Sequence, residues 1–350
     1  IAIGAYAGDA LTSGNLNIFM GKNAGGGSTT DVNNILIGHD AGSGAWTGSP
    51  SSQNTVVGDG AMKGAMNGAL YNSAFGAYTL YSVTTGDSNT SLGHGSGYLI
   101  STGVQNTLIG RNAGDAMSTT SNTVLIGMDA GTAINSADAD GTVAIGTRAG
   151  AALTSGQKNL ALGFEALNSS ATGDDNIAIG YQAMGNANSD SSLYNVVIGN
   201  YAGDAFGTAA IHSVVAIGYN ALTNATHANV AGTVAVGREA GTAIVDSQGT
   251  TAIGQYALYT VANTHYNTAV GSQAGQNTTG AENTYVGRKA GFGATGAESY
   301  NTGIGSDALS SIVDAQDNVA VGRKALMDNL TGDNNVAIGN NALENVTTAT

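Results

Sequence analysis

Cysteine is absent from the chain, proline occurs once, and lysine and arginine together number only 10. Without cysteine there is no disulfide framework. With a net charge of −14, the chain lacks the basic footprint of a protein that binds nucleic acid or an anionic membrane surface. Its apolar runs of four or five residues are far too short for a transmembrane helix. These shortages exclude a disulfide scaffold, a nucleic-acid-binding protein and a protein that inserts helices into a membrane.

Glycine is unusually abundant, with 54 copies in 350 residues. Ala, Asn, Thr and Ser provide most of the rest, and only 10% of the residues are charged. This composition is too uniform for a globular enzyme and, at 42% hydrophobic, too apolar for a disordered linker. Collagen is excluded as well, because the glycines follow no three-residue period and proline is nearly missing.

A short apolar run that ends in glycine recurs along the whole chain at intervals of 16 to 20 residues. We term each of these glycines an anchor and number the positions of a coil from it, with negative numbers before the anchor and positive numbers after it. The twenty anchors are Gly4, Gly21, Gly38, Gly58, Gly76, Gly93, Gly110, Gly127, Gly146, Gly163, Gly180, Gly199, Gly218, Gly237, Gly254, Gly271, Gly287, Gly305, Gly322 and Gly339. Residues 1–350 are therefore predicted to form one continuous repeat domain.

Each coil carries the same residue types at fixed positions. A bulky apolar residue fills position −1 in all twenty coils, Ala is usual at −2, and −3 is β-branched or Leu except at Ser73. Asn fills position −4 in fourteen of nineteen coils, and Ala fills position +3 in eighteen of twenty. Such a unit is too short for a helix and is typical of a strand bounded by turns. The residues that carry the repeat most clearly are Asn159, Gly163, Asn176, Ile179, Gly180, Ala183, Asn335 and Gly339.

This pattern predicts an all-β fold, a parallel β-solenoid or β-roll of about twenty coils. One coil cannot bury its own apolar residues, whereas stacked coils pair in parallel at a spacing of about 4.8 Å. The recurrent Asn is then expected to form a ladder of side-chain amides. We expect the bulky residues at position −1, such as Ile179, to face the interior, and the Ala residues at −2 to face outward. Since a strand that is apolar on both faces is covered on both faces, the Ala-lined face is expected to pack against other copies of the chain, as a homotrimer. The alternative is that the Ala residues form a surface of small side chains that no partner covers.

The repeat is clearest in residues 176–183, Asn-Ile-Ala-Ile-Gly-Tyr-Gln-Ala, and residues 335–342, Asn-Val-Ala-Ile-Gly-Asn-Asn-Ala. It resembles the head repeat of YadA-like trimeric autotransporter adhesins. The longer unit, with Leu after Ala and a Thr-Gly turn before the next Asn, is similar to repeats of phage tail-fibre-like proteins. The resemblance covers the whole chain and implies a parallel β-roll, trimeric assembly and attachment to surfaces, either on a virion tail fibre or on a cell surface. The coils are longer than those of the adhesin head, so the phage and the cell-surface branches both stay open.

Tyrosines recur at two fixed positions and are, with the single Trp, the candidate binding residues. Position −5 holds Tyr71, Tyr194, Tyr266 and Tyr300, and position +2 holds Tyr78, Tyr201 and Tyr256. Aromatic faces at fixed positions suit the rings of a cell-surface glycan, but such side chains also cap the edge of a core with the hydroxyl in water. Trp46 lies in the longest insertion, residues 43–53. If the Trp46 side chain is exposed in this loop, it is a good candidate to contact a receptor. If it is folded back onto the coil, it is not.

Catalysis and cofactors are not expected. The five histidines lie in different coils, and no metal-ligand or phosphate-binding spacing stands out. Extra residues enter the coils in one phase, which predicts a ridge of loops over residues 186–194, 204–213 and 223–232.

The sequence favours an extracellular attachment fibre, a rigid rod whose loops contact a receptor. The alternatives are a subunit of an extracellular mechanical filament and, more remotely, an ice-binding solenoid, which would need flat Thr arrays. Thr occupies position −3 in only seven coils. Because the end coils of solenoids normally need caps, we expect the chain to be a segment of a longer fibre or to stack on other chains at its ends.

Overall fold

The computed structural model describes residues 1–46, 48–187, 192–293 and 296–347. These residues belong to two units, Ile1–Asp175 and Asn176–Thr350. Each unit is all-β and is built from short parallel strands, one in each coil. The predicted parallel β-solenoid is therefore confirmed.

The first unit contains, among its described residues, ten strands and one turn of 3₁₀ helix. They are β1 (Ala2–Ile3), β2 (Ile18–Met20), β3 (Ile35–Ile37), β4 (Thr55–Val57), β5 (Ser73–Phe75), β6 (Thr90–Leu92), β7 (Thr107–Ile109), β8 (Val124–Ile126), η1 (Ala137–Ala139), β9 (Val143–Ile145) and β10 (Leu160–Leu162). Each strand pairs in parallel with the next one along the chain. Residues at the same position of neighbouring coils thus lie side by side, as Ala144 and Ala161 do.

The second unit repeats this arrangement with ten described strands and one turn of 3₁₀ helix. They are β11 (Ile177–Ile179), β12 (Val196–Ile198), β13 (Val215–Ile217), η2 (Ala228–Val230), β14 (Val234–Val236), β15 (Thr251–Ile253), β16 (Thr268–Val270), β17 (Thr284–Val286), β18 (Thr302–Ile304), β19 (Val319–Val321) and β20 (Val336–Ile338). Successive strands again pair in parallel, in the register that the anchors predict.

The anchor glycines let the chain turn directly after each strand. Their φ angles lie between +130° and +151°, a range that side chains disfavour. Space is a second constraint: a Cβ atom on Gly218 would lie 2.6 Å from the carbonyl carbon of Gly237 in the next coil. Glycine is therefore required at the anchor by both backbone conformation and the close approach of the neighbouring coil.

Three further residues of each described coil adopt the left-handed conformation, at positions +2, +4 and −5. In the coil of Gly218 the residues at +2 and +4 are Asn220 and Leu222, with φ angles of 53° and 51°. Each left-handed residue other than glycine costs about 1–2 kcal/mol. Hydrogen bonds between coils offset this cost, as where the Asn220 N–H donates to the Asn200 carbonyl at 3.1 Å.

The orientation that we expected for the strands is wrong. In β11 the side chain of Ala178 is fully buried, whereas Ile177 and Ile179 are only half-buried. The bulky residue at −1 therefore faces outward and the Ala at −2 faces inward. The cause is a narrow interior: a Cβ atom on Gly150, at position +4, would lie 3.5 Å from the Cβ of Ala144, at position −2. Positions −2 and +4 thus lie against each other, and a column of branched side chains does not fit at both.

The expected asparagine ladder is confirmed. The Asn72 side-chain amide donates to Asn54 Oδ1 at 3.1 Å and to the Gly86 carbonyl at 2.9 Å, and the Asn72 backbone N–H also donates to Asn54 Oδ1, at 3.0 Å. Each such Asn joins three successive coils. Asn301 in the second unit bonds its neighbours in the same way. These side chains are buried, so their bonds satisfy groups that would otherwise be costly to remove from water.

We expect Gly218→Ala to destabilise the protein by about 3 kcal/mol or more, because it combines backbone strain with a clash against the next coil. Gly232→Ala is the matched control, since Gly232 also has a positive φ, +76°, but no atom lies within 4 Å of its added Cβ. It should cost about 1 kcal/mol. Thermal denaturation of both variants measures the difference. Equal losses would mean that contact between anchors does not matter.

The corrected orientation is tested by Ala216→Asp and Ile217→Asp, two adjacent residues of β13. Ala216 is fully buried, so a carboxylate there is an unpaired buried charge, and we expect a loss of several kcal/mol or failure to fold. Ile217 faces outward, so its variant should keep the β-sheet circular dichroism of the parent. The opposite ranking would restore the orientation that the sequence suggested.

Candidate functional site on the outer surface of the coils

The outward side chains at positions −3 and −1 form what we term the outer sheet face. Every residue at −1 is bulky and apolar, yet many are exposed, such as Phe75 at 41% and Leu92 at 50%. Contiguous apolar surface of this kind marks an interaction site more often than a free surface. Because parallel sheets are normally covered on both faces, the outer sheet face is the leading candidate for a contact surface.

Four threonines stand in consecutive strands of this face in the second unit. Thr251, Thr268, Thr284 and Thr302 occupy position −3 of β15–β18 and lie side by side. The neighbouring column, at position −1, is aliphatic throughout these strands. The Thr array is therefore one column wide.

The tyrosines at position −5 are strongly exposed, at 54–60% of their surface, and have left-handed φ angles. They are Tyr71, Tyr194, Tyr266 and Tyr300. The structure places them at the same corner of their coils but not in adjacent coils, so it does not bring them together. The side chain of Tyr266 is fixed by a hydrogen bond, which its hydroxyl donates to Gln248 Oε1 at 3.0 Å.

The tyrosines at position +2 lie at the opposite end of the strand and have aromatic partners that the sequence pattern alone did not reveal. Tyr201 packs between Tyr181 and Tyr219, with ring centroids 5.1 and 6.2 Å away. Tyr256 contacts Tyr259 at 5.3 Å, and the Arg238 guanidinium lies 5.4 Å from the Tyr256 ring centroid. Positions +1, +2 and +5 therefore form one corner, where side chains of adjacent coils meet.

Trp46 is not an exposed contact residue. Its side chain is folded against the coil with only 5% of its surface exposed. A Cβ atom on Gly42 would lie 3.0 Å from Trp46 Cζ2, so glycine at position +4 provides the space for the indole ring. Of the two alternatives that the sequence left open for Trp46, the outward one is wrong.

The predicted ridge of loops is only partly present. In residues 204–213 the side chains of Phe206 and Ile211 are fully buried, and in residues 223–232 the η2 turn buries Val230. Residues 226–229 are exposed. Within residues 186–194, residues 188–191 lie outside the described part of the structure. The extra residues therefore supply much of the local core, because a longer turn reaches back into the coil.

Charged side chains concentrate at the same corner as the +2 tyrosines. Eight of the ten Lys and Arg residues occupy positions +1 or +2. Four of these eight pair with a carboxylate one coil away, as Arg111 does with Asp129 at 3.3 Å and Arg288 with Asp307 at 2.7 Å. Such exposed pairs contribute about 0–1 kcal/mol each, so they set local charge more than stability.

Acidic residues at position −6 have a structural role that sequence reasoning missed. Asp87 Oδ1 accepts a hydrogen bond from the Leu70 N–H at 2.6 Å, and Asp333 Oδ1 accepts one from the Gln316 N–H at 2.7 Å. Each carboxylate thus caps a backbone N–H of the preceding coil. The recurrence of Asp in the Thr-Gly-Asp turns at residues 85–87, 172–174 and 331–333 follows from this bond.

Two carboxylates are buried among the described residues, those of Asp31 and Glu298. Glu298 is fully buried, and its Oε1 accepts hydrogen bonds from the N–H groups of Thr279 and Gly280 at 2.8 and 3.1 Å. Burial raises the pKa of the Glu298 carboxyl, although these hydrogen bonds oppose the rise. Burial also raises the pKa of the Tyr285 hydroxyl, and nearby Glu298 raises it further.

Within the described ranges, no group of three or more His, Asp or Glu side chains could hold a metal ion. No helix in that part of the chain is long and apolar enough to cross a membrane. No family model matches the chain, and a search of curated proteins finds no relative. The resemblance to adhesin heads and tail-fibre repeats therefore rests on the repeat pattern alone.

The buried carboxylate of Glu298 predicts that stability depends on pH. Because the pKa of Glu298 is raised in the folded state, the folded state binds more protons than the unfolded one, and stability is lost as pH rises above the ordinary value of about 4.3. Glu298→Gln keeps the acceptor oxygen and removes the charge. We expect the variant to melt at a higher temperature than the parent at pH 7 and at the same temperature at pH 3. Exposed Glu282→Gln is the control and should match the parent at both pH values. A Glu298→Gln variant that is no more stable at pH 7 would contradict the prediction.

Proposed function

We propose that this chain is a structural and adhesive fibre segment that assembles as an extracellular homotrimer through its outer sheet face. The observation that carries the proposal is the apolar residue at position −1, which occurs in every coil of each unit although its side chain points outward. Because these side chains do not fill the interior, an apolar residue is expected at position −1 of every coil only if a partner covers this face. The role is not enzymatic.

Other copies of the same chain are the partner that the outer sheet face fits best. In β5 the smallest residue at position −3, Ser73, lies in the same strand as the largest residue at position −1, Phe75. When identical chains pack in parallel and in register, residues at the same height meet, so a large side chain of one chain finds a small one of its neighbour. An unrelated partner would not require this compensation within one strand.

The resemblance to trimeric adhesin heads makes three the number of chains that we propose. The fibre role is supported by the coils themselves, in which position −2 fills the interior, −4 forms the ladder and −6 caps the preceding coil. Such a stack holds surface residues at fixed spacing, which suits attachment. The exposed tyrosines are the residues that we propose contact a receptor or glycan.

A mechanical filament is the second candidate, and the same outer sheet face could serve it. The two differ in how assembly ends. A rotationally symmetric trimer is closed, whereas a filament adds chains without limit.

Mass measurement tests the proposal directly. The unmutated chain should have three times the mass of the 34.5 kDa monomer in analytical ultracentrifugation or native mass spectrometry. The double variant Ile198→Asp with Ile217→Asp places two charges on neighbouring strands of the outer sheet face and should be monomeric but still β-folded. Thr208→Asp with Asn229→Asp adds the same charge at exposed loop positions and should remain trimeric. A monomeric parent at about 10 μM, a concentration at which obligate assemblies persist, would refute the assembly, and open-ended polymers would favour the filament.

A further inference from the structure

The neighbouring coils of Gly76 and Gly93 depart from the repeat in ways that the stack does not require. They hold both exceptions to Ala at position +3, Thr79 and Ser96, and the single Ser at position −2, Ser91. Positions where a chain breaks its own structural rule without a packing reason are where function is expected. The departures occur at one place, which makes these coils different from the rest of the described surface.

Inside these coils, the unusual polar residues bond one another. Thr79 Oγ1 donates to Ser91 Oγ at 2.7 Å, and Ser91 Oγ donates to the Ser96 carbonyl at 3.0 Å. Ser96 Oγ in turn donates to the Leu108 carbonyl at 3.1 Å. Since Thr79 and Ser96 directly follow position +2, these buried bonds fix the backbone of the outer corner of both coils.

Outside, the same corner carries Tyr78 at position +2, and glycine occupies that position in both adjacent coils, at Gly60 and Gly95. No other coil has glycine at position +2. A Cβ atom on Gly60 would lie 3.0 Å from Tyr78 Cδ1, so the absence of a side chain lets the tyrosine ring lie over the neighbouring coil. The ring thereby reaches Asp59, and the hydrogen bond between them raises the pKa of the Tyr78 hydroxyl.

Three further rings extend this surface into what we term the tyrosine cluster, formed by Tyr78, Tyr81, His94 and Tyr98. Tyr81 and Tyr98 are stacked, with centroids 4.9 Å apart and an interplanar angle of 9°. Tyr78 contacts Tyr81 at 6.1 Å and meets His94 edge-on at 5.7 Å. Tyr78 and Tyr98 expose 39% and 37% of their surfaces, so the cluster is open to a ligand.

Hydrogen-bonding groups border the rings on one side. Asp59 Oδ1 lies 2.8 Å from His39 Nδ1, and both side chains are about half exposed, at 49% and 54%. Next to them, Asp40 pairs with Lys63 at 2.7 Å, and the hydrogen bond from Lys63 lowers the pKa of Asp40. The cluster therefore joins aromatic surface to charged groups that can exchange one hydrogen-bond partner for another.

We infer that the tyrosine cluster binds a pyranose ring of a neutral saccharide. The apolar C–H face of a sugar packs on aromatic rings, and its hydroxyls both donate and accept, which matches the carboxylate of Asp59 and the imidazoles of His39 and His94. Two carboxylates at the rim, Asp40 and Asp59, disfavour an anionic ligand. A cationic ligand is disfavoured because Tyr81 and Tyr98 are stacked on each other and do not form an open cage. This inference rests on the adhesive role in the proposed function, and it assigns that role to the tyrosine cluster.

The other tyrosine cluster lacks these features. Around Tyr201 the neighbours at position +2 are Gln182 and Asn220, which carry side chains. Position +3 is the usual Ala in all three coils, at Ala183, Ala202 and Ala221. That cluster follows the repeat, so it provides an internal comparison on the same protein.

The test is saturation-transfer NMR and titration of the full chain with methyl pyranosides of glucose, galactose, mannose and N-acetylglucosamine and their β-linked disaccharides. We expect at least one to bind. Tyr98→Ala should then weaken binding about tenfold, the effect of losing about 1.4 kcal/mol of ring contact. Gly60→Asn places at position +2 a residue that other coils carry there, so the fold is kept while the Tyr78 ring is displaced, and binding should fall by a similar factor.

Phe164→Ala and Met128→Ala, which remove exposed apolar side chains at position +1 of other coils in the first unit, are the controls and should bind like the parent. The inference is overturned if none of the saccharides binds, or if binding survives both Tyr98→Ala and Gly60→Asn. It is also overturned if Tyr98→Ala changes the mass of the assembly, because the cluster would then be an interface between chains. If the chain is a trimer but binds no saccharide, this inference is wrong and the proposed assembly stands. If the chain is a monomer but binds a saccharide, the proposed assembly is wrong and this inference stands.

Discussion

Everything in this protein depends on the stacking of one coil on the next. The backbone of each coil donates to and accepts from its neighbours at nearly the same position, as where the Gly110 N–H donates to the Leu92 carbonyl at 2.8 Å. A single coil has three left-handed corners and a glycine with a φ that side chains avoid, which would be unstable alone. Stacking offsets these costs because the same hydrogen bonds form between each coil and the next. In other solenoids, too, contacts between neighbouring repeats provide much of the stability.

The interior shows how the repeat absorbs variation in side-chain size. Position −2 is usually Ala, but it is larger at Phe19, Leu36 and Leu125, and in each of these coils position +4 is Gly. The glycines leave room for the larger side chains: a Cβ atom on Gly131 would lie 2.8 Å from Leu125 Cδ1. Where position −2 is small, as at Ala216, position +4 is free to carry Leu222, which is fully buried. In these coils a small residue at one of the two facing positions leaves room for a large residue at the other.

The sequence was sufficient for the period, the strand positions, the requirement for glycine at the anchor and the asparagine ladder. All four depend on residue type at fixed spacing. It failed on which side of the strand faces inward, because residues such as Ala178 and Ile179 are both apolar and only the width of the interior separates them. The left-handed corners were also missed, since Tyr, Asn, Glu and Leu all occupy them and share no chemical signal. The tyrosine cluster could have been found by aligning coils, because Gly60, Tyr78 and Gly95 fall in one column.

The contact between anchor glycines has a consequence for how such a protein changes over evolutionary time. Because each anchor meets its neighbour through the same backbone atoms, the junction does not depend on which two coils are joined. Loss or duplication of one coil in the gene would therefore create a junction of a kind already present and alter the length of the stack by about 4.8 Å. Recombination between repeats can therefore add or remove whole coils without requiring a new interface to evolve. Specialised coils, such as those around Tyr78, can be kept unchanged when other coils are gained or lost.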